Sequence, residues 1–185
     1  MKPSDELVKE HNAILGSLEV LSTICDAIEA GKTFNAYDVA RLLDFLKVFA
    51  DGCHHQKEEL LLFPALEQSG IPREHGPIGV MLSEHDLGRK YIRGMAESLD
   101  AYSAGRSGAA VAIASNARAY INLLRAHIIK ENTILFPMAD KHLRADAQAE
   151  LVAAFADLEE HKIGQGVHEQ YHELLRELHD TYLIG

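Results

Sequence analysis

Tryptophan is missing from this chain, and 185 residues contain only five prolines and two cysteines. So few prolines, set between long runs at helical period, exclude a proline-rich linker or low-complexity tract and leave room for long helices. Cys25 and Cys53 have no close Cys-Cys spacing. That spacing favours reduced, packed thiols over a disulfide or a zinc knuckle. No apolar run reaches the roughly 20 residues of a membrane span. The opening Met1-Lys2-Pro3-Ser4-Asp5-Glu6 lacks the apolar core of a signal peptide, so the expected location is the cytoplasm. Basic residues are scarce: 18 Lys and Arg against 28 Asp and Glu give a net charge of −10. With those bases dispersed there is no electrostatic footprint for nucleic acid or an anionic membrane, and neither is expected as a partner.

What the chain has in excess is histidine, eleven in all, and a stretch written twice. The first copy is His54-His55-Gln56-Lys57-Glu58-Glu59-Leu60-Leu61-Leu62-Phe63-Pro64 and the second is His127-Ile128-Ile129-Lys130-Glu131-Asn132-Thr133-Ile134-Leu135-Phe136-Pro137. Each sets a Glu four residues after a His, on one face of a helix, and closes on Leu-Phe-Pro. In the first copy His54/Glu58 and His55/Glu59 both satisfy that spacing. The second copy retains only the partners of His54 and Glu58, since Ile128 and Asn132 stand opposite His55 and Glu59. His54, Glu58, His127 and Glu131 are therefore the candidates. His55, Glu59, His75, His142, His161 and His179 are expected to face solvent.

Helical periodicity places these residues on core stripes. A first helix, capped at Ser4 or Asp5 and stopped at Gly31, carries Leu7, His11, Ile14, Leu18 and Leu21. A second begins near Asn35 and aligns Leu43, Leu46, Ala50, His54, Glu58 and Leu62 until Pro64 ends or kinks it. A third carries Ile78, Met81, His85 and Ile92. The fourth carries Tyr120, Leu124, His127, Glu131 and Leu135 and is closed by Pro137. Glu10-His11 corresponds to Glu84-His85, 74 residues on, much as His54 corresponds to His127 at 73. A whole helical hairpin is thus duplicated. The expected fold is all-α: one domain over residues 1–185, with an up-down-up-down four-helix bundle over about 4–140 and an additional C-terminal helical segment over about 146–183, broken near Gly164-Gln165-Gly166.

Buried carboxylates need positive compensation. Lys57 and Lys130 point roughly 100° away from the stripes of Glu58 and Glu131, which makes metal the better partner. Imidazole and carboxylate without thiolate suit iron, manganese or zinc, and carboxylates from facing helices can bridge two ions. His168, after the glycine break, is the candidate for a further imidazole, with Tyr171 or His172 behind it.

The order His11, His54-x-x-x-Glu58, His85, His127-x-x-x-Glu131, with both Leu-Phe-Pro closes, resembles the hemerythrin-like HHE cation-binding family. The resemblance covers about residues 4–183. It implies two non-haem iron ions bridged by Glu58 and Glu131, histidines as terminal ligands, and an oxo or hydroxo bridge. Oxygen-carrying members have a second His one turn after the third-helix ligand, where this chain has Arg89, and an Asp five residues after the fourth-helix His, where it has Asn132. These departures point away from reversible oxygen carriage. His168 would restore a count of five imidazoles and two carboxylates, with one iron left open. The iron–sulfur-repair branch shares the bundle but adds a Cys-bearing N-terminal extension, which is not expected here. The functional expectation is a di-iron protein that binds or reacts with oxygen, peroxide or nitric oxide in oxidative or nitrosative stress, reset by an unknown electron donor. The alternative is an iron-binding sensor or storage module without turnover, and metal-assisted hydrolysis ranks last.

Overall fold

A computed structural model describes residues 2–162, 164 and 166–184, and these are helical apart from short turns, with no strand among them. Helix α1 is Pro3–Glu29. It starts slightly before the expected Ser4 or Asp5 cap. Pro3 presets the first turn and the Asp5 carboxylate accepts the Lys2 N–H at 2.8 Å. Gly31, at φ +68°, ends it as expected, with Lys32 N–H donating to Ala27 at 2.9 Å. Helix α2 spans residues 36–68 and is capped by Asn35, which accepts the Tyr37 N–H at 3.0 Å. Helix α3 is Pro77–Ser103 and α4 spans residues 109–142. The C-terminal helices are α5, Ala145–Lys162, and α6, over residues 167–184. Between them Gly164 and Gly166 take φ of +84° and +83°, while Gln165 of the expected break lies outside the described residues.

Pro64 and Pro137 do not end their helices, which run on to Gln68 and His142. The reason is a wide turn ahead of each proline. Phe63 N–H reaches back five residues to Glu58, and Phe136 N–H reaches back five to Glu131. Such a turn absorbs the donor that proline lacks and re-aims the side chains on it. A longer wide-turned stretch, Leu46–His55, precedes the first. All three fall on or beside the duplicated His/Glu stretch.

Helix α1 packs on α2 and α4, and α3 packs on the same two, so the four close a ring of contacts. Their apolar side chains form two separate layers. One holds Ile14, Leu18, Ala50, Ile92, Leu124 and Ile128; the other holds Leu7, Leu62, Phe63, Met81, Leu135 and Phe136. Between those layers each of the four helices places polar side chains: His11; His54, His55 and Glu58; His85; and His127 and Glu131. Helix α5 adds Leu151 and Phe155 to the second layer, while α6 adds Tyr171 and Leu178 to the first. Tyr171 and Tyr182 hydroxyls donate to Asp44 and Asp38 at 2.8 and 2.7 Å, which fastens α6 to α2. Among the described residues no helix is long and apolar enough to cross a membrane.

Candidate metal centre

The polar layer between the two apolar ones contains two groups of convergent donors. His11, His54, Glu58 and Glu131 form one, and His55, Glu58, His85 and His127 the other, each with its donor atoms within 4.8 Å of one another. Glu58 belongs to both: one oxygen lies 3.6 Å from His54 Nε2 and the other 3.4 Å from His85 Nε2. Glu131 also straddles them, with Oε2 3.1 Å from His11 Nε2 and 3.2 Å from His127 Nε2. Both carboxylates are 0% exposed.

Each imidazole is held from behind through Nδ1. His54 donates to Glu10 at 2.7 Å and His127 to Glu84 at 2.9 Å. His85 donates to Glu59 at 2.7 Å, His11 to Asn132 Oδ1 at 2.8 Å, and His55 to Asp51 at 3.3 Å. A proton on Nδ1 leaves the Nε2 lone pair free, which is the ligating tautomer with its ring fixed. The anchors repeat with the hairpin. Glu10 and Glu84 each precede a helix-borne His, and Lys57 and Lys130 bind them in turn, Lys57 at 2.5 Å. Lys57 is fully buried, yet its ammonium joins Glu6, Glu10 and Glu159 rather than Glu58.

The ring is polar but unsatisfied. His11 Nε2 and both oxygens of Glu58 and Glu131 are buried without a hydrogen-bond partner, and buried carboxylate oxygens normally have several. His85 Nε2 and His127 Nε2 face each other at 3.1 Å while both Nδ1 atoms are engaged. Without a cation, that contact requires an extra proton and hence an imidazolium. Accordingly His127 is pushed up to about 10: burial opposes its charge, but Glu131 beside it prevails. Burial pushes His54 down to about 3 and His55 well below the usual histidine range, so these two stay neutral. The donor set fits divalent or trivalent metal, which would replace the trapped proton and satisfy the carboxylates together.

His127, protonated at pH 7 in the metal-free chain, must lose its proton to ligate, so loading is expected to release at least about one proton and to tighten as pH rises towards 10. Calorimetry in two buffers of different ionisation enthalpy reads that release. Equal heats in both would contradict it.

Of the seven residues expected from sequence, the structure brings six together: His11, His54, Glu58, His85, His127 and Glu131. His168 stands apart. Its side chain is 31% exposed, its ring lies 5.0 Å from that of Phe49, and it shares a third group with Glu10 and Glu159. Lys57 already occupies that group, 2.9 Å from Glu159, so its charge is compensated by an ammonium. His55, expected at the surface, is instead 4% exposed, with its ring stacked 3.9 Å from that of His85. Comparison with Ile128 hid it. The signal that would have found it is the doubled pair, His54-His55 followed by Glu58-Glu59, on a helix with a neighbour on either side. Glu59, also expected in solvent, is half-buried behind His85. Cys53 is buried and pushed up to about 12 by that burial, despite Lys57 nearby, which makes it an unreactive thiol.

An all-helical chain with histidines and carboxylates converging at mid-height of its helices defines a cation-binding domain. Its residues 2–139 match the model of the hemerythrin HHE cation binding domain, and the chain belongs to that family. It is 34% identical over 134 residues to an iron-sulfur cluster repair protein YtfE from Edwardsiella ictaluri, which covers 71% of this chain and 60% of the relative. To the protein of the same name from Enterobacter sp. it is 29% identical over 133 residues, 70% and 59% of the two chains. An uncharacterized protein of Mycobacterium tuberculosis matches at 24% over 161 residues, 87% and 62% of the two. These matches span about 60% of the relatives' length. No solved structure matches significantly.

Proposed function

We propose that this domain, a single up-down-up-down bundle over about residues 4–140 with its C-terminal helices packed on it, holds two non-haem iron ions joined by an oxygen-derived bridge. It reacts there with oxygen, peroxide or nitric oxide as part of a cytoplasmic response to oxidative or nitrosative stress. The observation that carries this reading is the set of five Nδ1-anchored imidazoles around two straddling, unsatisfied carboxylates. His11 and His54 would serve one ion, His55, His85 and His127 the other, and Glu58 and Glu131 both. The division of three imidazoles and two leaves the His11/His54 side with fewer donors and room for a small ligand. When bound, a ferrous pair supplies two electrons to such a molecule.

The chain's own part is to position and to exclude. Glu10, Glu59, Glu84, Asp51 and Asn132 fix the rings, and the apolar layers above and below keep bulk water from the centre. A cavity of about 420 Å³ between α2 and α3 opens against His55, Gly88 and Tyr120, on the three-imidazole side of the centre, and neither His11 nor His54 lines it. The name shared by two relatives, iron-sulfur cluster repair, supports a role in iron chemistry. The test is anaerobic loading with ferrous iron followed by oxygen, hydrogen peroxide or nitric oxide. New charge-transfer or nitrosyl absorption with at least one is expected, and unchanged spectra with all three would overturn the reading.

One contact favours a second reading, an iron-responsive sensor. Glu159 of α5 shares Lys57 with Glu10, the anchor of His54, so α5 touches the side chains that set the centre. Metal-dependent hydrogen-exchange protection in α5 and α6, without turnover of any of the three oxidants, would favour it.

A further inference from the structure

Among the positions at which the two copies of the hairpin differ, four meet at one place. In the 73-residue register, Asp51, His55 and Glu59 of α2 correspond to Leu124, Ile128 and Asn132 of α4. In the 74-residue register Arg89 of α3 corresponds to Leu15 of α1. One half of the repeat is therefore apolar or uncharged where the other carries two acids, a base and an imidazole. With His85 these four side chains form a closed chain of contacts. Arg89 Nε donates to Asp51 at 2.8 Å and an Arg89 terminal nitrogen donates to Glu59 at 2.6 Å. Asp51 accepts His55 Nδ1 and Glu59 accepts His85 Nδ1. The two rings so held lie almost parallel, 17° apart, with centroids at 3.9 Å.

We propose that Arg89 is a positioning residue: its guanidinium clamps Asp51 and Glu59 so that the stacked pair His55/His85 presents both Nε2 atoms to one metal position. The proposal deepens the di-iron reading and rests on it. Its physics is that of a fork. A guanidinium can serve two carboxylates at once in fixed directions, and so sets the spacing of both anchors where a point charge could not. Two acids facing two stacked imidazoles would otherwise repel each other and swing into solvent, since Asp51 is one-third exposed. The other half needs no clamp. Asn132 is a neutral acceptor for His11, and Ile128 has no ring to orient. A third acid, Asp86, touches Arg89 at 3.2 Å but is largely exposed and anchors no imidazole.

The experiment is competition of cobalt(II) against a chromophoric chelator, with cobalt d–d absorption read alongside. It compares wild type, Arg89→Gln, Arg89→Lys, His55→Ile and the Arg89→Gln/His55→Ile pair. Arg89→Gln is expected to weaken one of two cobalt sites about 10- to 100-fold and to alter its band shape, as loss of an outer-layer partner does. Arg89→Lys should recover the affinity only in part. In the His55→Ile background the Arg89→Gln effect should shrink, because one of the two anchors then orients nothing. Wild-type affinity and spectrum in Arg89→Gln would overturn the clamp. So would an Arg89→Gln loss of equal size with and without His55, which would mark a purely structural residue. Melting of the metal-free variants separates a folding defect from a site defect. Failure of the oxidant test above, with cobalt sites intact, would remove the reactivity and leave the clamp standing.

Discussion

Exchanging Glu58 for Met is expected to abolish loading of the centre and, in the same molecule, to stabilise the metal-free fold. Glu58 is 0% exposed, and neither of its oxygens has a hydrogen-bond partner. In the absence of metal its desolvation is offset only by the imidazoles 3.6 and 3.4 Å away. Replacing a buried, poorly compensated charge by an apolar side chain of similar volume is neutral or stabilising by about 1–4 kcal/mol. At roughly 2–4 °C per kcal/mol for a chain of this size, the metal-free variant should melt up to several degrees above the metal-free wild type. With metal the order reverses. A ligand at about 1,000 times its Kd adds about 4 kcal/mol to a protein that binds it, and the variant, lacking the carboxylate shared by both donor groups, gains none. Differential scanning calorimetry with and without iron reads both effects. A variant that melts below wild type when both are metal-free would show that Glu58 is already compensated by its histidines.

Removal of His55 should cost an ion, and removal of His168 should cost nothing. His55→Ile writes the Ile128 of the second repeat into the first, so the change is one the fold accommodates at the equivalent position. It takes away one of three imidazoles on the His85/His127 side, and the affinity for the ion on that side should fall by more than the roughly 10–100-fold of an outer-layer change. His168→Ala should leave two ions per chain, because its nearest acid, Glu159 at 3.7 Å, is already paired with Lys57. Iron quantification after gel filtration distinguishes the two. Loss of an ion in His168→Ala, with His55→Ile intact, would return the fifth imidazole to the C-terminal segment.

The wide turns explain why proline was a misleading stop signal and why both His54 and His55 point inward. Neighbours on a regular helix are 100° apart, and only a helix buried on two faces, with its turn opened at Leu46–His55 and Glu58–Leu62, uses both. Leu-Phe-Pro thus marks the site twice without ending either helix. Lys57 teaches the same lesson for charge. Its direction away from Glu58 was legible from helical geometry, whereas its burial among Glu6, Glu10 and Glu159 depends on α1 and α5 closing over it.

By itself the sequence determined the helical class, the duplicated hairpin, and the convergence of His11, His54, Glu58, His85, His127 and Glu131. All of these follow from period and register along the chain, which are local quantities. Only the tertiary structure decided that His55 rather than His168 joins them, that Glu10, Glu84, Glu59 and Asn132 stand behind the rings, and that Arg89 ties two of the anchors together. Those relations link different helices, and their angles and wide turns arise from packing two apolar layers around a polar one.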